Sequence, residues 1–241
     1  MIPKIIHYCW FGGNPLPTDV KRCIESWKKM CPDYEIKRWD ESNFDVNAHP
    51  FTKAAYEAKA WAFVSDYARL KVICDNGGIY LDTDVELLKN LDSLREYQCY
   101  IGVQQAGHLC NTGLGFGATK SNPVLQQMLR KYDEIVFSEE RKTEFACPYL
   151  NNAVLKELGY IYNENEPVNL GRTLVLPPKY LDPIAPGEGM KLLRCEDTIS
   201  IHHYSASWMG NKTRLKRRII RIIGQENVNK IKQFCQRLNM G

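Results

Sequence analysis

Apolar positions in this chain fall into short blocks whose spacing switches between two periods. Ile2 to Trp10 is a nearly unbroken apolar block ending at Phe11-Gly12-Gly13-Asn14-Pro15, which predicts a buried strand closed by a turn. Thr18 or Asp19 is placed to cap a helix reaching Met30, with Ile24 and Trp27 on one face and Cys23 beside them. Tyr34 to Trp39 alternates and predicts a second strand. Phe51 to Asn76 has the spacing of two helices, and Gly77-Gly78 stops the second. An apolar segment, Ile79-Tyr80-Leu81, then runs into Asp82-Thr83-Asp84, and a further strand is predicted at Tyr100 to Gln104. Helices are expected from Asn122 to Phe137, with Pro123 at the start, and more loosely near Tyr149 to Leu158. Late strands are expected at Thr173 to Leu176 and Thr198 to His203. Strands alternating with helices imply an α/β sheet with helices on both faces.

Length and composition change this picture little. The 241 residues suit one large domain or two small ones. No run of about 18 apolar residues predicts a membrane span, and the first residues enter a strand pattern without the shape of a signal peptide. Nine cysteines, an odd number with no Cys-x-x-Cys pair, predict reduced and mostly buried thiols of a cytosolic protein. Charge adds more. From Asn211 onward there are nine Lys or Arg and one acid, Glu226, while the preceding 210 residues carry 23 basic and 27 acidic side chains. The chain therefore divides into a mildly acidic body, residues 1–210, and a basic tail, residues 211–241. In the tail Lys212, Arg214, Lys216, Arg217, Arg218 and Arg221 interleave with Leu215, Ile219, Ile220, Ile222 and Ile223, the pattern of a basic amphipathic helix. Such a helix suits peripheral contact with an anionic membrane surface, or packs on the domain with its charges solvated. No aromatic platform is interleaved, so nucleic acid is not an expected partner.

The candidate chemistry centres on Asp82 and Asp84. On a strand, i and i+2 share a face, and two like charges so close call for a cation between or beside them. A hard divalent ion, Mg²⁺ or Mn²⁺, fits oxygen ligands. Asp66 and Arg69, at i and i+3, share a helix face and form either a solvated local ion pair or a polar pair facing a ligand, with Phe63, Leu70 and Cys74 as core opposite them. Trp10 and Gly12 end the first strand, where ligands bind in open α/β sheets. Trp10 could stack on a base or be core, and Gly12-Gly13 would let a ligand approach the backbone. Asn111-Thr112-Gly113-Leu114-Gly115-Phe116-Gly117 is glycine-rich without the Lys-Ser or Lys-Thr of a phosphate loop, and predicts a bend near the ligand. There Asn111 offers a donor and an acceptor to sugar hydroxyls, or caps a turn. His202 and His203 are adjacent on a predicted strand, so at most one reaches a given metal.

Taken in order, Ile-Pro-Lys-Ile-Ile-His-x-x-Trp, Ser-Asp-x-x-Arg, Gly-Gly-x-Tyr-Leu-Asp-x-Asp, Asn-x-Gly and His-His-x-x-x-Ser-Trp resemble the sugar-binding DXD glycosyltransferases over roughly residues 2–208. This group includes bacterial capsule and lipopolysaccharide sugar transferases, yeast initiation mannosyltransferases and clostridial glucosylating toxins. The resemblance implies a GT-A type, Rossmann-like nucleotide-sugar-binding fold with a mixed central sheet flanked by helices. It also implies a divalent metal, Mn²⁺ or Mg²⁺, a nucleotide-sugar donor (by analogy a UDP-sugar) and retention of anomeric configuration. Trp10 would stack on the base, with Gly12 and Tyr80 in the donor site. Asp66 and Arg69 would contact the donor sugar, Asp82 ribose or sugar hydroxyls, and Asn111 the sugar. Asp84 and His202 would ligate the metal, with His203 as the alternative to His202, and Trp208 would close over the diphosphate. The catalytic set so implied is Asp82, Asp84, Arg69 and Asn111. No residue is singled out as a nucleophile, so covalent and same-face routes to retention both stand. The expected role is hexose transfer to a glycan or lipid-linked acceptor in surface polysaccharide assembly, by a cytoplasmic protein held at the inner membrane face. The competing readings are an inactive nucleotide-sugar-binding or membrane-docking protein and a metal-dependent phosphohydrolase using the two aspartates.

Overall fold

A computed structural model describes residues 1–205 except residue 188; the expected tail over 211–241 and Trp208 lie outside the described residues. The strands are β1 (Ile5–Cys9), β2 (Glu35–Trp39), β3 (Gly78–Tyr80), β4 (Val85–Leu87), β5 (Cys99–Val103), β6 (Cys110–Ala118), β7 (Val168–Leu170), β8 (Thr173–Leu176) and β9 (Ser200–His202). The helices are α1 (Thr18–Met30), α2 (Pro50–Glu57), α3 (Trp61–Asn76), α4 (Pro123–Asp133), α5 (Cys147–Glu157) and α6 (Pro178–Leu181). Seven strands form one mixed sheet in the order β2-β1-β3-β6-β5-β8-β7, and β4 pairs with β9 in a separate two-stranded ribbon. Among the described residues no helix is long and apolar enough to cross a membrane.

The sheet separates two apolar layers. One holds α1, whose Val20, Cys23, Ile24 and Trp27 recur at helical spacing and are buried. The other holds α3, α4 and α5. β1 lies between β2 and β3, parallel to both, and apart from His7 is largely apolar because both its faces are covered. α1 starts after Pro17 without a side-chain cap, so neither Thr18 nor Asp19 plays the expected capping part. Asn122 caps α4, its side chain accepting from the Val124 N–H at 3.0 Å, with Pro123 in the first turn where no donor is needed.

Two sequence expectations are corrected here. The glycine-rich stretch from Asn111 is no bend but the long buried strand β6, paired with β3 and β5. Its glycines make room for neighbours: a Cβ on Gly117 would meet the Tyr100 ring at 2.6 Å. Asp82 and Asp84 do not lie on a strand either. The β1 ladder continues as far as the Leu81 N–H, which donates to His7 O, and the Val85 N–H then donates to Asp82 O at 3.0 Å to close a turn. The cysteines behave as expected: of the eight described, all but Cys195 are buried free thiols.

His7 is fully buried at the centre of β1. Its Nδ1 accepts from Trp39 Nε1 at 2.9 Å, so Nε2 carries the proton and donates to Gly77 O at 3.0 Å. Burial pushes its pKa down to about 4, against the pull of that carbonyl. The unfolded imidazole charges near pH 6.5 and the folded one does not until about pH 4. Its contribution is therefore fully present above about pH 6.5 and falls by about 3 kcal/mol as pH drops through 4. Urea unfolding between pH 7 and pH 4.5 should show a shallower loss for His7→Gln than for wild type; parallel losses would refute the assignment.

Candidate active site

The site is built on the turn after β3 and on three elements that converge there. α3 is buried on nearly all sides, which decides between the two readings of Asp66 and Arg69: their pair lies inside the protein, not on a solvated helix face. Leu70 and Cys74 are core as expected, and Phe63 packs partly buried against them. Arg69 Nη2 bridges Asp66 Oδ1 at 3.0 Å and Asp82 Oδ1 at 3.1 Å. Its guanidinium also sits over the Tyr80 ring, and the Tyr80 hydroxyl donates to Asp82 Oδ1 at 3.0 Å. Tyr80 is thus a buried support of Asp82. Burial raises the Asp66 pKa to about 6, opposed by Arg69 and by hydrogen bonds from the backbone and thiol of Cys147.

The second half of the site comes from the ribbon. β9 runs antiparallel to β4 with His202 opposite Val85, which sets His202 beside Asp84. His202 Nε2 lies 3.1 Å from Asp84 Oδ1, and the Ser205 N–H donates to Asp84 Oδ2 at 2.7 Å. Burial works to raise the Asp84 pKa, but His202 and the Ser205 and Asp84 amides pull it down to about 2. His203 points the other way, with Nε2 2.8 Å from Glu86 Oε2, so the alternation expected of adjacent histidines holds. Asp82, Asp84 and His202 each offer a ligand atom, all within 4.8 Å of one another. The predicted same-face placement is reached by turn and ribbon geometry instead of strand alternation.

Asn111, on β6, is held at both ends of its amide: Nδ2 donates to Gln104 Oε1 at 2.8 Å and Oδ1 accepts from the Gly113 N–H at 2.7 Å. Three contributors carried no sequence expectation as site residues. Cys147, in the first turn of α5, places Sγ 3.6 Å from Asn111 Oδ1 and 3.9 Å from Arg69 Nη1. Burial holds its thiol well above the usual range, so it stays protonated. Gln104 anchors Asn111. The glycine-rich stretch and Asn-x-Gly are the signals that mark Gly113: a Cβ there would meet Asp82 Oδ2 at 2.7 Å and Asn111 Oδ1 at 3.0 Å. Gly113→Ala should therefore displace Asp82. Donor turnover should fall on the order of 10²-fold, with a loss of about 1–3 kcal/mol in urea unfolding. Unchanged turnover would show that Asp82 need not sit where it does.

Trp10 and Gly12 lie apart from this cluster, beyond the end of β1. Trp10 is buried and its indole donates to Asn14 O at 2.6 Å. The Gly12 N–H donates to Glu41 Oε1 at 2.6 Å, and Gly12 lines a cleft of about 690 Å³ with Gly13, Asn14, Glu41, Tyr56, Lys59 and Trp61.

Residues 17–101 match the family model described as the glycosyltransferase sugar-binding region containing DXD motif. The chain is similar to inositol phosphoceramide mannosyltransferase 3 of Schizosaccharomyces pombe, 31% identical over 153 residues, which is 62% of this chain and 40% of that protein. It is also similar to an uncharacterized glycosyltransferase of Acanthamoeba polyphaga mimivirus, 24% identical over 191 residues and covering 76% of this chain and 74% of that one. Among solved structures the PaToxG glycosyltransferase shares the fold, with a TM-score of 0.52 at 22% identity over 65% of this chain and 69% of its own. The chain thus spans less than half of the yeast relative. Residues 17–101 thus match the DXD sugar-binding region of glycosyltransferases, with Asp82-Thr83-Asp84 inside it, and the mixed sheet beneath it has the GT-A fold.

Proposed function

We propose that this protein transfers a hexose from a nucleotide-sugar, with a UDP-sugar as the favoured donor, to a glycan or lipid-linked acceptor, with retention at the anomeric carbon. The carrying observation is the convergence of Asp82, Asp84 and His202 ligand atoms beside the buried Asp66–Arg69 pair. Two carboxylates and one imidazole fit Mn²⁺ (or Mg²⁺), hard to borderline in ligand preference. Such an ion would neutralise the charge that develops on the leaving diphosphate.

The remaining work falls to the chain itself. Arg69 is locked between two carboxylates, so Asp66 and Asp82 are aimed before a donor arrives and need no reorganisation during reaction. The carboxylate of Asp66 accepts from sugar hydroxyls, and the amide of Asn111, held by Gln104 and Gly113, walls the sugar. The base would stack at Trp10 and the Gly12-Gly13 turn, beside a cleft that Tyr56 and Trp61 also line. The basic segment after Asn211 would bring a lipid-linked acceptor and an anionic cytoplasmic membrane surface to the same protein.

Calorimetric titration of UDP and of GDP, with and without Mn²⁺, tests the reading. Wild type should bind UDP only with Mn²⁺ present, and Asp84→Ala should lose that binding by at least about 10-fold, as expected when a metal anchor is removed. Binding of neither nucleotide to folded protein with Mn²⁺ present would overturn the donor-site assignment.

A further inference from the structure

His202 stands apart from the two aspartates in how it is held. Its Nε2 faces Asp84, while its Nδ1 is buried with no hydrogen-bond partner among the described residues. Two other buried polar atoms of this region are in the same condition: Oγ of Ser200, on the same strand, and Oδ1 of Asp182, a fully buried carboxylate at the end of α6. Tyr204 connects His202 with Asp182. Its ring meets the His202 ring edge to face with centroids 4.1 Å apart, and its hydroxyl donates to Asp182 Oδ2 at 2.9 Å. Asp182 is itself fixed, since Oδ2 also accepts from the Gln105 N–H at 2.8 Å and the Gln105 side chain clamps Asp182 O and the Lys191 backbone.

The backbone at Tyr204 reinforces the point. Tyr204 has φ 49°, a left-handed conformation that a tyrosine adopts only when its surroundings impose it. Three contacts impose it. The His203 N–H donates to Asp84 O, the Ser205 N–H donates to Asp84 Oδ2, and the Tyr204 hydroxyl is tied to Asp182. Two amides and one phenol thus hold three consecutive residues against Asp84 on one side and Asp182 on the other.

We propose that Asp182, acting through Tyr204, is the positioning carboxylate of the metal-ligand histidine. It sets the His202 ring with Nδ1 protonated and Nε2 free toward Asp82 and Asp84. A ligating imidazole is normally oriented by a carboxylate, carbonyl or water on its other nitrogen. The unpartnered Nδ1 and Asp182 Oδ1 are complementary in kind, a donor when protonated and an acceptor. Asp182 touches neither donor nor metal in this scheme. The inference rests on the metal-site reading above and adds to it a residue outside the DXD turn.

The test is Mn²⁺ alone, titrated against the whole protein and followed by electron paramagnetic resonance. The ¹⁴N coupling of the bound ion reports the imidazole. Tyr204→Phe keeps the ring on His202 and removes only the hydroxyl; Asp182→Asn keeps the shape and removes the charge. Each should weaken Mn²⁺ binding roughly 10-fold, within the range for lost outer partners of metal ligands, and should reduce the ¹⁴N coupling. The double variant should be no weaker than the worse single variant, because the two residues act as one unit. Tyr204→Phe decides the matter if Asp182→Asn fails to fold. Wild-type Mn²⁺ binding with unchanged affinity and ¹⁴N coupling in Tyr204→Phe would overturn the role of Asp182. A wild type that binds no Mn²⁺ would overturn the metal site itself.

Discussion

Arg69→Met should lower stability by about 3 kcal/mol, the lower end for breaking a buried ion pair, and abolish donor turnover. Met fills most of the space but leaves Asp66 and Asp82 facing each other without the guanidinium that bridges them. The lower end applies because the Asp82 side chain is 24% exposed and so partly screened. Burial already raises Asp66 to about 6 with Arg69 opposing it, so in the variant this carboxyl takes up a proton more readily. A carboxyl raised in the folded state destabilises at high pH and ceases to do so below its unfolded pKa. The deficit against wild type should accordingly shrink from pH 8 to pH 5 in urea unfolding. Arg69→Lys separates the two roles: it keeps the charge and much of the stability, but a point charge cannot span both carboxylates in one geometry, so turnover still falls. Equal denaturation midpoints for wild type and Arg69→Met at pH 8 would refute the bridging role.

Gly78→Ala should be severely damaging. Gly78 starts β3 with φ 112°, outside the range open to an L residue. Its Cβ would meet Ile5 O at 2.8 Å and His7 Nε2 at 2.7 Å, a backbone oxygen and a ring held on both nitrogens. Neither can move without breaking the β1–β3 ladder. Strain of about 1–3 kcal/mol and overpacking of about 1–3 kcal/mol act together, so soluble yield and melting temperature should both drop sharply. Gly13→Ala, at a position with positive φ but open space around it, is the control and should lose far less. Similar losses in both variants would place the cost in backbone strain alone.

What could be read beforehand follows physical signal strength. α1 is visible because four apolar residues recur on one face, and α3 because it is long and ends at two glycines. β4 and β7 escape because each is three residues long and lacks the flanking motif, Gly-Gly with Asp-x-Asp or the paired histidines, that marks the equally short β3 and β9. β6 is misread for a specific reason: glycine is depleted in strands, and the space that Gly113 and Gly117 provide for Asp82 and Tyr100 exists only once the other strands are in place. The site divides the same way. Asp66, Arg69, Asp82, Asp84, Asn111 and His202 stand in recognisable short motifs, and the structure gathers them. Cys147, Gln104 and Asp182 touch partners that lie on other elements, and no local spacing marks them.

The β4–β9 ribbon has a consequence for the order in which the protein is made. All seven strands of the main sheet precede Ser200, so a chain growing from its N-terminus has them available before His202 is synthesised. The ribbon adds the imidazole, the Ser205 amide and the Tyr204 hydroxyl in one step. A chain interrupted before β9 therefore has Asp82 and Asp84 in place but lacks His202, the third residue whose ligand atom lies within 4.8 Å of theirs.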